Sequence, residues 1–188
     1  MAHERLVWSL LLSNFMKLKI SVIGLGYVGL PLLIKLSEFY DVLGFDIDES
    51  RVHELKHGYD RTGEILNKNL LISNTILYSS EAKALTNSDI FIVTVPTPVN
   101  KANQPDLKII RNACSLVGKY LKKNNIVIFE STVYPGATRE VCVPILESIS
   151  GLKLNKDFGV GYSPERINPG DKKHTIEEII KLTSGSDS

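Results

Sequence analysis

The chain has 188 residues, of which 43% are hydrophobic, and its 22 basic and 21 acidic side chains leave a formal net charge of +1. That length and composition suffice for one domain with a substantial core. No block of like charge occurs, so the sequence indicates no nucleic-acid surface. No apolar run reaches the ~20 residues that a bilayer-spanning helix needs, so we expect no membrane association.

Two cysteines, Cys114 and Cys142, have no C-x-x-C or histidine-rich neighbourhood. They favour buried thiols in a reducing, cytoplasmic compartment over a disulfide or a metal site.

The N-terminal residues are predicted to lie outside the fold. Residues 1–15 include an apolar run from Leu6 to Leu12 but no small-residue cleavage site, and a chain starting at Met16 would contain the whole predicted domain. We therefore interpret 1–15 as an extension and 16–188 as the domain, with a targeting signal as the alternative.

Apolar strands and helical patterns alternate along the chain. The predicted strands cover 18–23, 42–46, 76–78, 90–95, 126–129 and 158–162, and the predicted helices cover 27–38, 48–57, 80–86, 106–122 and 138–148. Asp106 is the predicted N-cap of the longest helix. Segment 176–181 fits a helix or a strand, and 182–184 fits a strand. The alternation predicts an α/β domain with a doubly wound, parallel, Rossmann-like sheet.

A glycine-rich motif joins the first strand to the first helix. Gly24, Gly26 and Gly29 form G-x-G-x-x-G, with Tyr27 and Val28 between the last two glycines, and Asp46 ends the second strand. This order is typical of a dinucleotide site, in which glycines allow a tight turn and a close approach of backbone to pyrophosphate. The alternative is an ordinary glycine turn.

The acidic residue at the end of the second strand indicates which dinucleotide binds. A carboxylate at Asp46 accepts hydrogen bonds from an adenosine ribose and repels a 2′-phosphate, so NAD is favoured over NADP. Arg51, one turn into the next helix, is close enough to reach over the same adenosine. The alternatives are a solvated acid and a solvated surface arginine.

Polar or proline-rich clusters follow the later strands, where ligands of such sheets gather. They are Pro96-Thr97-Pro98, Glu130-Ser131-Thr132 and Ser163-Pro164-Glu165-Arg166. Two prolines give the chain a rigid exit that would hold Thr97 beside the cofactor, unless this is an ordinary strand exit. Ser131 and Thr132 either position a water or substrate hydroxyl or cap the next helix. Glu165 is either a general base or water-holder or a solvated acid.

As a set, these segments resemble the N-terminal half of the UDP-glucose/GDP-mannose dehydrogenase family. The matching pieces run in family order from about Met16 to Ser188, and comprise 20–31, 44–48 with 51–52, 95–98, 104–106, 130–133 with 135–136, and 163–166. Within that family, Arg166-Ile167 after the Pro-Glu pair resembles the branch that acts on UDP-N-acetylhexosamines. The UDP-glucose branch, which tends to have Phe-Leu there, is the alternative.

The resemblance implies oxidation of C6 of a UDP-N-acetylhexosamine to a uronate with two NAD per sugar, for surface polysaccharide precursors. It makes Thr132 and Glu165 holders of the catalytic water, and Arg166 and Ile167 substrate contacts. It also implies a homodimer for the full-length protein. Pattern and resemblance together assign NAD contacts to Gly24, Gly26, Tyr27, Val28, Gly29, Asp46, Arg51, Val95, Pro96, Thr97, Glu130, Ser131 and Thr132.

One departure from the family is large. The family's second half carries a glycine-flanked nucleophilic cysteine, a lysine and an asparagine, and the 188 residues contain no counterpart. Cys114 and Cys142 fall in predicted helices and are expected to be core thiols. We therefore expect these residues alone to bind NAD without turnover, which leaves a non-catalytic NAD-binding module as another alternative. A short-chain reductase is disfavoured, because no tyrosine is followed by a lysine four residues later.

Overall fold

The computed structural model describes residues 18–65, 76–99, 104–164 and 182–186. Its strands are β1 (Lys19–Ile23), β2 (Asp41–Phe45), β3 (Ile76–Ser79), β4 (Ile90–Val93), β5 (Ile126–Phe129), β6 (Gly159–Tyr162) and β7 (Ser184–Gly185). Its α-helices are α1 (Gly29–Leu36), α2 (Glu49–Lys56), α3 (Lys108–Gly118) and α4 (Val143–Ser150). A 3₁₀ helix covers Ala82–Asn87, and a π-helical turn covers Thr138–Cys142.

The strands form one sheet in the order β3-β2-β1-β4-β5-β6-β7. All neighbouring strands from β3 to β6 are parallel, and only β7 is antiparallel to its neighbour. The order reverses between β1 and β4, which is where doubly wound sheets bind dinucleotides. The predicted fold class is confirmed.

Two apolar cores cover the two faces of the sheet. Successive strand residues point to opposite faces, and the buried residues divide accordingly. Phe91 and Val93 of β4 pack in the core that contains α3 and α4, whereas Ile92 packs in the core that contains α1 and α2. Helices on both faces leave the strand ends as the open edges, so loop residues there are available for binding.

Element bounds differ from the predicted ones where the backbone has other partners. Leu107, and not Asp106, is the N-cap of α3. The amide of Asp106 donates to Pro98 O at 2.7 Å, which keeps this residue in the preceding loop, although its carboxylate still accepts from Lys108 N at 2.9 Å. α3 also ends at Gly118, before the predicted 122.

The helix predicted over 138–148 is confirmed in place but begins as a π-helical turn. Pro144, in the first turn of α4, has no N–H to donate to the preceding turn. A wider turn ahead of a proline accommodates that missing donor.

Several predictions lie outside the described residues, namely those on 1–15, on 176–181 and on Glu165, Arg166 and Ile167. A strand was predicted at 182–184, and β7 covers Ser184–Gly185, so the two share only Ser184. Among the described helices, none combines the length and the hydrophobicity required to cross a membrane.

Candidate dinucleotide-binding site

The glycine turn, Gly24–Gly29, links β1 to α1, and its three glycines have different roles. Gly24 has φ +96°, a conformation that side-chain-bearing residues rarely adopt. A Cβ at Gly29 would collide with Gly24 O and with Thr94 Oγ1. A Cβ at Gly26 would meet no atom within 4 Å. Gly24 and Gly29 are thus required by the fold, whereas Gly26 leaves open space beside the backbone.

Asp46 ties the end of β2 to the glycine turn. Its Oδ2 accepts from Leu25 N at 2.8 Å, and its Oδ1 accepts from Asp48 N at 3.0 Å. The interpretation as a merely solvated acid is therefore wrong. Each carboxylate oxygen accepts more than one hydrogen bond, so Asp46 retains capacity for ribose hydroxyls.

Arg51 is buried, with 4% of the residue exposed, so the interpretation as a solvated surface arginine is wrong. Its Nε donates to Leu25 O at 2.9 Å, and its Nη2 donates to Asp60 Oδ1 at 2.7 Å. Nη1 has no hydrogen-bond partner among the described residues and lies 3.8 Å from Glu54 Oε2. Arg51 therefore holds the glycine turn, and its contact with the cofactor stays a prediction.

The exit of β4 brings a second strand end against the glycine turn. The Thr94 hydroxyl donates to Gly24 O at 2.7 Å, and Ile23 O is a second, longer acceptor at 3.1 Å. A Cβ built on Gly24 would lie 3.2 Å from Val95 Cγ1. Sequence reasoning missed Thr94, although a single hydroxyl among the apolar residues 90–95 was a signal for it.

Thr97 lies between two exposed prolines, Pro96 and Pro98, and its hydroxyl oxygen is buried without a hydrogen-bond partner among the described residues. Pro98 O is held by the Asp106 amide, which fixes the path of this exit. Buried hydroxyls normally have a hydrogen-bond partner, so a buried hydroxyl without one is a candidate for a hydrogen bond to a ligand. This supports the predicted role of Thr97 and disfavours an ordinary strand exit.

At the end of β5, the structure separates the roles of three adjacent residues. Glu130 is buried, and its amide donates to Val93 O at 2.8 Å. Ser131 is also buried, and its hydroxyl donates to Val95 O at 2.7 Å. Thr132 is exposed. No side chain caps the following helical segment, so the helix-cap alternative for the two hydroxyls is wrong.

Ser163 directly follows β6 and was not among the predicted contacts. It is 1% exposed, and its hydroxyl has no hydrogen-bond partner among the described residues. The neighbouring Glu165, Arg166 and Ile167 lie outside the described residues, so their roles stay predictions.

Cys114 lies in α3 and Cys142 in the π-helical turn before α4, and both belong to the core, as predicted. Cys114 and Cys142 are 0% and 1% exposed. A hydrogen bond with Cys142, together with burial, raises the pKa of the Cys114 thiol above its ordinary value. A buried, protonated thiol is a poor nucleophile.

A cavity of about 440 Å³ lies elsewhere and is lined in part by the loop that follows β5. Its lining includes Tyr134, Pro135, Arg139 and Tyr162, but no residue of the glycine turn and neither Asp46 nor Thr97. We place the dinucleotide site by its chemistry, at the glycine turn, and not at this cavity.

The residues present fit NAD. No side chain caps the N-terminus of α1, so its first N–H groups and its positive dipole end suit phosphates. Gly26 leaves space for pyrophosphate, and Asp46 is hydrogen-bonded to the same turn. Thr97 offers a hydroxyl that has no partner in the part of the chain that the structure describes.

The family model described as "UDP-glucose/GDP-mannose dehydrogenase family, NAD binding domain" matches residues 18–184. The chain belongs to this family. Its cofactor is NAD, in agreement with the glycine turn and Asp46. The predicted resemblance is therefore confirmed.

Two curated relatives match over most of the chain. Protein CapL of Staphylococcus aureus is 54% identical over 170 residues, and a UDP-N-acetyl-D-glucosamine 6-dehydrogenase of Pseudomonas aeruginosa is 52% identical over 169 residues. Each match covers 90% of this chain and 40% of the relative. The chain thus spans about two fifths of the length of the curated relatives that it matches.

Solved structures of related dehydrogenases share the fold. The UDP-D-ManNAc dehydrogenase of Pyrococcus horikoshii superposes with a TM-score of 0.79 at 30% identity, covering 89% of this chain and 41% of that one. An NDP-N-acetyl-D-galactosaminuronic acid dehydrogenase of Methanosarcina mazei gives a TM-score of 0.84 at 28% identity, covering 96% and 41%.

Proposed function

We propose that this chain is the NAD-binding part of an enzyme that oxidises C6 of a UDP-N-acetylhexosamine to the uronate. The observation that carries the proposal is the open backbone at Gly26 beside Asp46, in a chain about half identical to a UDP-N-acetyl-D-glucosamine 6-dehydrogenase. The product would serve surface polysaccharide synthesis, which the similarity to CapL supports.

Conversion of an alcohol to a carboxylate removes four electrons, and water supplies the second oxygen. NAD, when bound, accepts the hydride that leaves C6, and two NAD are used for each sugar. The chain's own residues bind and orient the cofactor. The N–H groups of the glycine turn donate to the pyrophosphate, and the Asp46 carboxylate accepts hydrogen bonds from the adenosine ribose.

The strand ends beyond β4 face the reacting part of the ligands. Thr97, whose hydroxyl has no partner within the described ranges, donates toward the cofactor, and the Ser131 hydroxyl donates to the backbone carbonyl of Val95. Thr132, which is exposed, holds the reacting water together with Glu165. Arg166 and Ile167 contact the UDP-sugar.

Covalent catalysis is assigned to residues other than those of this chain. Cys114 and Cys142 are the only cysteines in the sequence, and both are buried in the core. A thiolate must reach the C6 aldehyde to form a covalent intermediate, and neither thiol is exposed at the strand ends. We propose that the 188 residues alone bind NAD without turnover.

A chimera tests the assignment. The chain replaces the matching 169-residue part of the P. aeruginosa dehydrogenase, and NADH absorbance is followed with UDP-N-acetylglucosamine, its galacto epimer and UDP-glucose. We expect oxidation of an N-acetylated sugar in preference to UDP-glucose. A chimera that folds and binds NAD but prefers UDP-glucose, or oxidises no UDP-sugar, contradicts the proposal.

The unfused chain is the control for the cysteine argument. It is expected to produce no NADH with the same substrates. Steady NADH production that survives Cys114→Ser with Cys142→Ser contradicts the assignment of covalent catalysis elsewhere, and production lost in Cys142→Ser identifies Cys142 as the nucleophile.

A further inference from the structure

A buried ion pair between Arg51 and Asp60 lies against the glycine turn. Arg51 projects from α2 with its guanidinium between two acceptors. Nε donates to Leu25 O at 2.9 Å, and Nη2 donates to Asp60 Oδ1 at 2.7 Å. One cation thus joins the middle of the glycine turn to a carboxylate nine residues farther along the chain.

Asp60 is held far more completely than a surface acid. Its side chain is 0% exposed. Besides Arg51, its Oδ1 accepts from Thr62 N at 3.0 Å and from Thr62 Oγ1 at 2.7 Å, and its Oδ2 accepts from Ile65 N at 3.0 Å. Segment 60–65 therefore wraps around this carboxylate.

Burial makes this pair different from the exposed ion pairs of the chain. A carboxylate removed from water needs a charged partner and hydrogen bonds for its remaining lone pairs, and both are present here. The pair Lys35–Glu38, by contrast, has side chains 36% and 50% exposed, and pairs of that kind contribute little. The geometry of Arg51 is thus fixed by Asp60 and not by solvent.

The other polar groups near Arg51 do not replace Asp60. Glu54 lies 3.8 Å from Nη1 and is also paired with Arg61, whose Nε donates to it at 2.6 Å. Tyr78 is buried, and its hydroxyl has no hydrogen-bond partner among the described residues. Among the described residues, Asp60 is the only carboxylate that forms a hydrogen bond with the Arg51 guanidinium.

We propose that Asp60 is a positioning residue of the dinucleotide site, acting through Arg51 on the carbonyl of Leu25. Leu25 lies between Gly24 and Gly26, so its peptide orientation sets the direction of the turn that faces the pyrophosphate. Its N–H is held by Asp46 and its C=O by Arg51, which fixes the residue at both polar groups. The proposal rests on NAD binding at this turn.

A double-mutant cycle tests the proposal. NAD affinity is measured by calorimetry for the wild type, Asp60→Asn, Arg51→Met and the double variant, with folding checked by circular dichroism. We expect Asp60→Asn to raise the NAD Kd about tenfold in the wild-type background and less than about twofold in Arg51→Met, because coupled residues are not additive. Equal effects in both backgrounds, or an unchanged Kd in Asp60→Asn, overturn the proposal.

Two further variants keep the test decisive if Asp60→Asn does not fold. Lysine in Arg51→Lys has one cationic centre and does not hold Leu25 O and Asp60 together; we expect a raised NAD Kd, and an unchanged Kd in the folded variant overturns the proposal. Thr62→Val removes one hydrogen bond from Asp60 but leaves the ion pair, so its NAD Kd should stay within about twofold. A wild type that fails to bind NAD would instead refute the proposed function.

Discussion

The carboxyl edge of the sheet has two unlike sides. On the turn side, at the ends of β1 and β2, the polar groups of Leu25, Asp46, Arg51 and Asp60 are bonded to one another. On the hydroxyl side, at the ends of β4 to β6, Thr97 and Ser163 have buried hydroxyls without partners among the described residues, and Thr132 is exposed.

This difference indicates that the polar groups of the turn side are arranged before a ligand binds, whereas the hydroxyl side contributes hydrogen-bonding groups to the ligand. On the turn side, Leu25, Asp46, Arg51 and Asp60 are already hydrogen-bonded to one another, although Arg51 Nη1 has no hydrogen-bond partner among the described residues. Of the three glycines of the turn, only Gly26 has space for a Cβ with no atom within 4 Å. The hydroxyl side holds donors that a ligand can use, and an unpartnered buried hydroxyl costs stability until it is used. Substitutions on the turn side should therefore affect folding and binding together, and those on the hydroxyl side should separate them.

The largest effect is expected for Gly29→Ala, on the turn side. The added Cβ collides with Gly24 O, a backbone atom that has little room to move. We expect a loss of about 1–3 kcal/mol in the free energy of unfolding, as for other overpacked sites, and loss of NAD binding. Urea unfolding and calorimetry measure the two effects, and an unaltered variant would show that the turn is not tightly packed.

Gly26→Val is expected to abolish binding while leaving the fold intact. The side chain enters the open space that the pyrophosphate needs, so the NAD Kd should rise at least about 100-fold, or about 2.7 kcal/mol. Gly159→Val in β6 is the matched control, because the position is extended and the nearest atom to a Cβ lies 3.8 Å away. Retained NAD affinity in folded Gly26→Val would mean that the motif is only a structural turn.

Two isosteric substitutions after β4 compare a hydroxyl that is hydrogen-bonded to the glycine turn with one that has no partner among the described residues. Thr94→Val removes the hydroxyl that donates to the glycine turn and should cost about 1 kcal/mol of unfolding free energy. Thr97→Val removes a hydroxyl without a partner among the described residues, so stability should be unchanged or raised, while the NAD Kd rises about fivefold through the loss of one hydrogen bond. Chemical denaturation and NAD-binding measurements on both variants test this comparison. Equal losses of stability in the two variants would show that the two hydroxyls do not differ in their contribution to the fold.

The smallest expected effect is the dependence on acidic pH of the stability that the Asp60 carboxylate contributes. Burial opposes ionisation of Asp60, but hydrogen bonds from Thr62, Ile65 and Arg51 hold its pKa below the ordinary value of 3.8. A lowered pKa in the folded state gives stability that is present above pH 4 and is lost as the pH falls through the folded-state value. The difference in Tm between the wild type and Asp60→Asn should therefore shrink from pH 6 to pH 3. A difference that does not change with pH would show that the charge is not involved.

The sequence predicted a residue's place and contacts well when its partners are close along the chain or are set by the order of strands and helices. The strands, the glycine turn and Asp46 follow from periodicity and spacing, because their partners are set by the strand–turn–helix order. Asp60 lay in a segment that reads only as a polar break, since its bond to Arg51 depends on how the chain returns to α2. Ser131 showed the converse: a hydroxyl next to a helix suggests a cap, but here it joins two strands.

The NAD-to-NADP preference of the wild-type chain tests the central claim most directly. If Asp46 faces the adenosine ribose, its carboxylate repels a 2′-phosphate, and calorimetry should give a Kd at least about tenfold lower for NAD than for NADP, or about 1.4 kcal/mol. Asp46→Ala should weaken NAD binding and bring the Kd values for NAD and NADP closer together. Equal affinity of the wild type for both dinucleotides, or a ratio unchanged in Asp46→Ala, would contradict the placement of the cofactor at this turn.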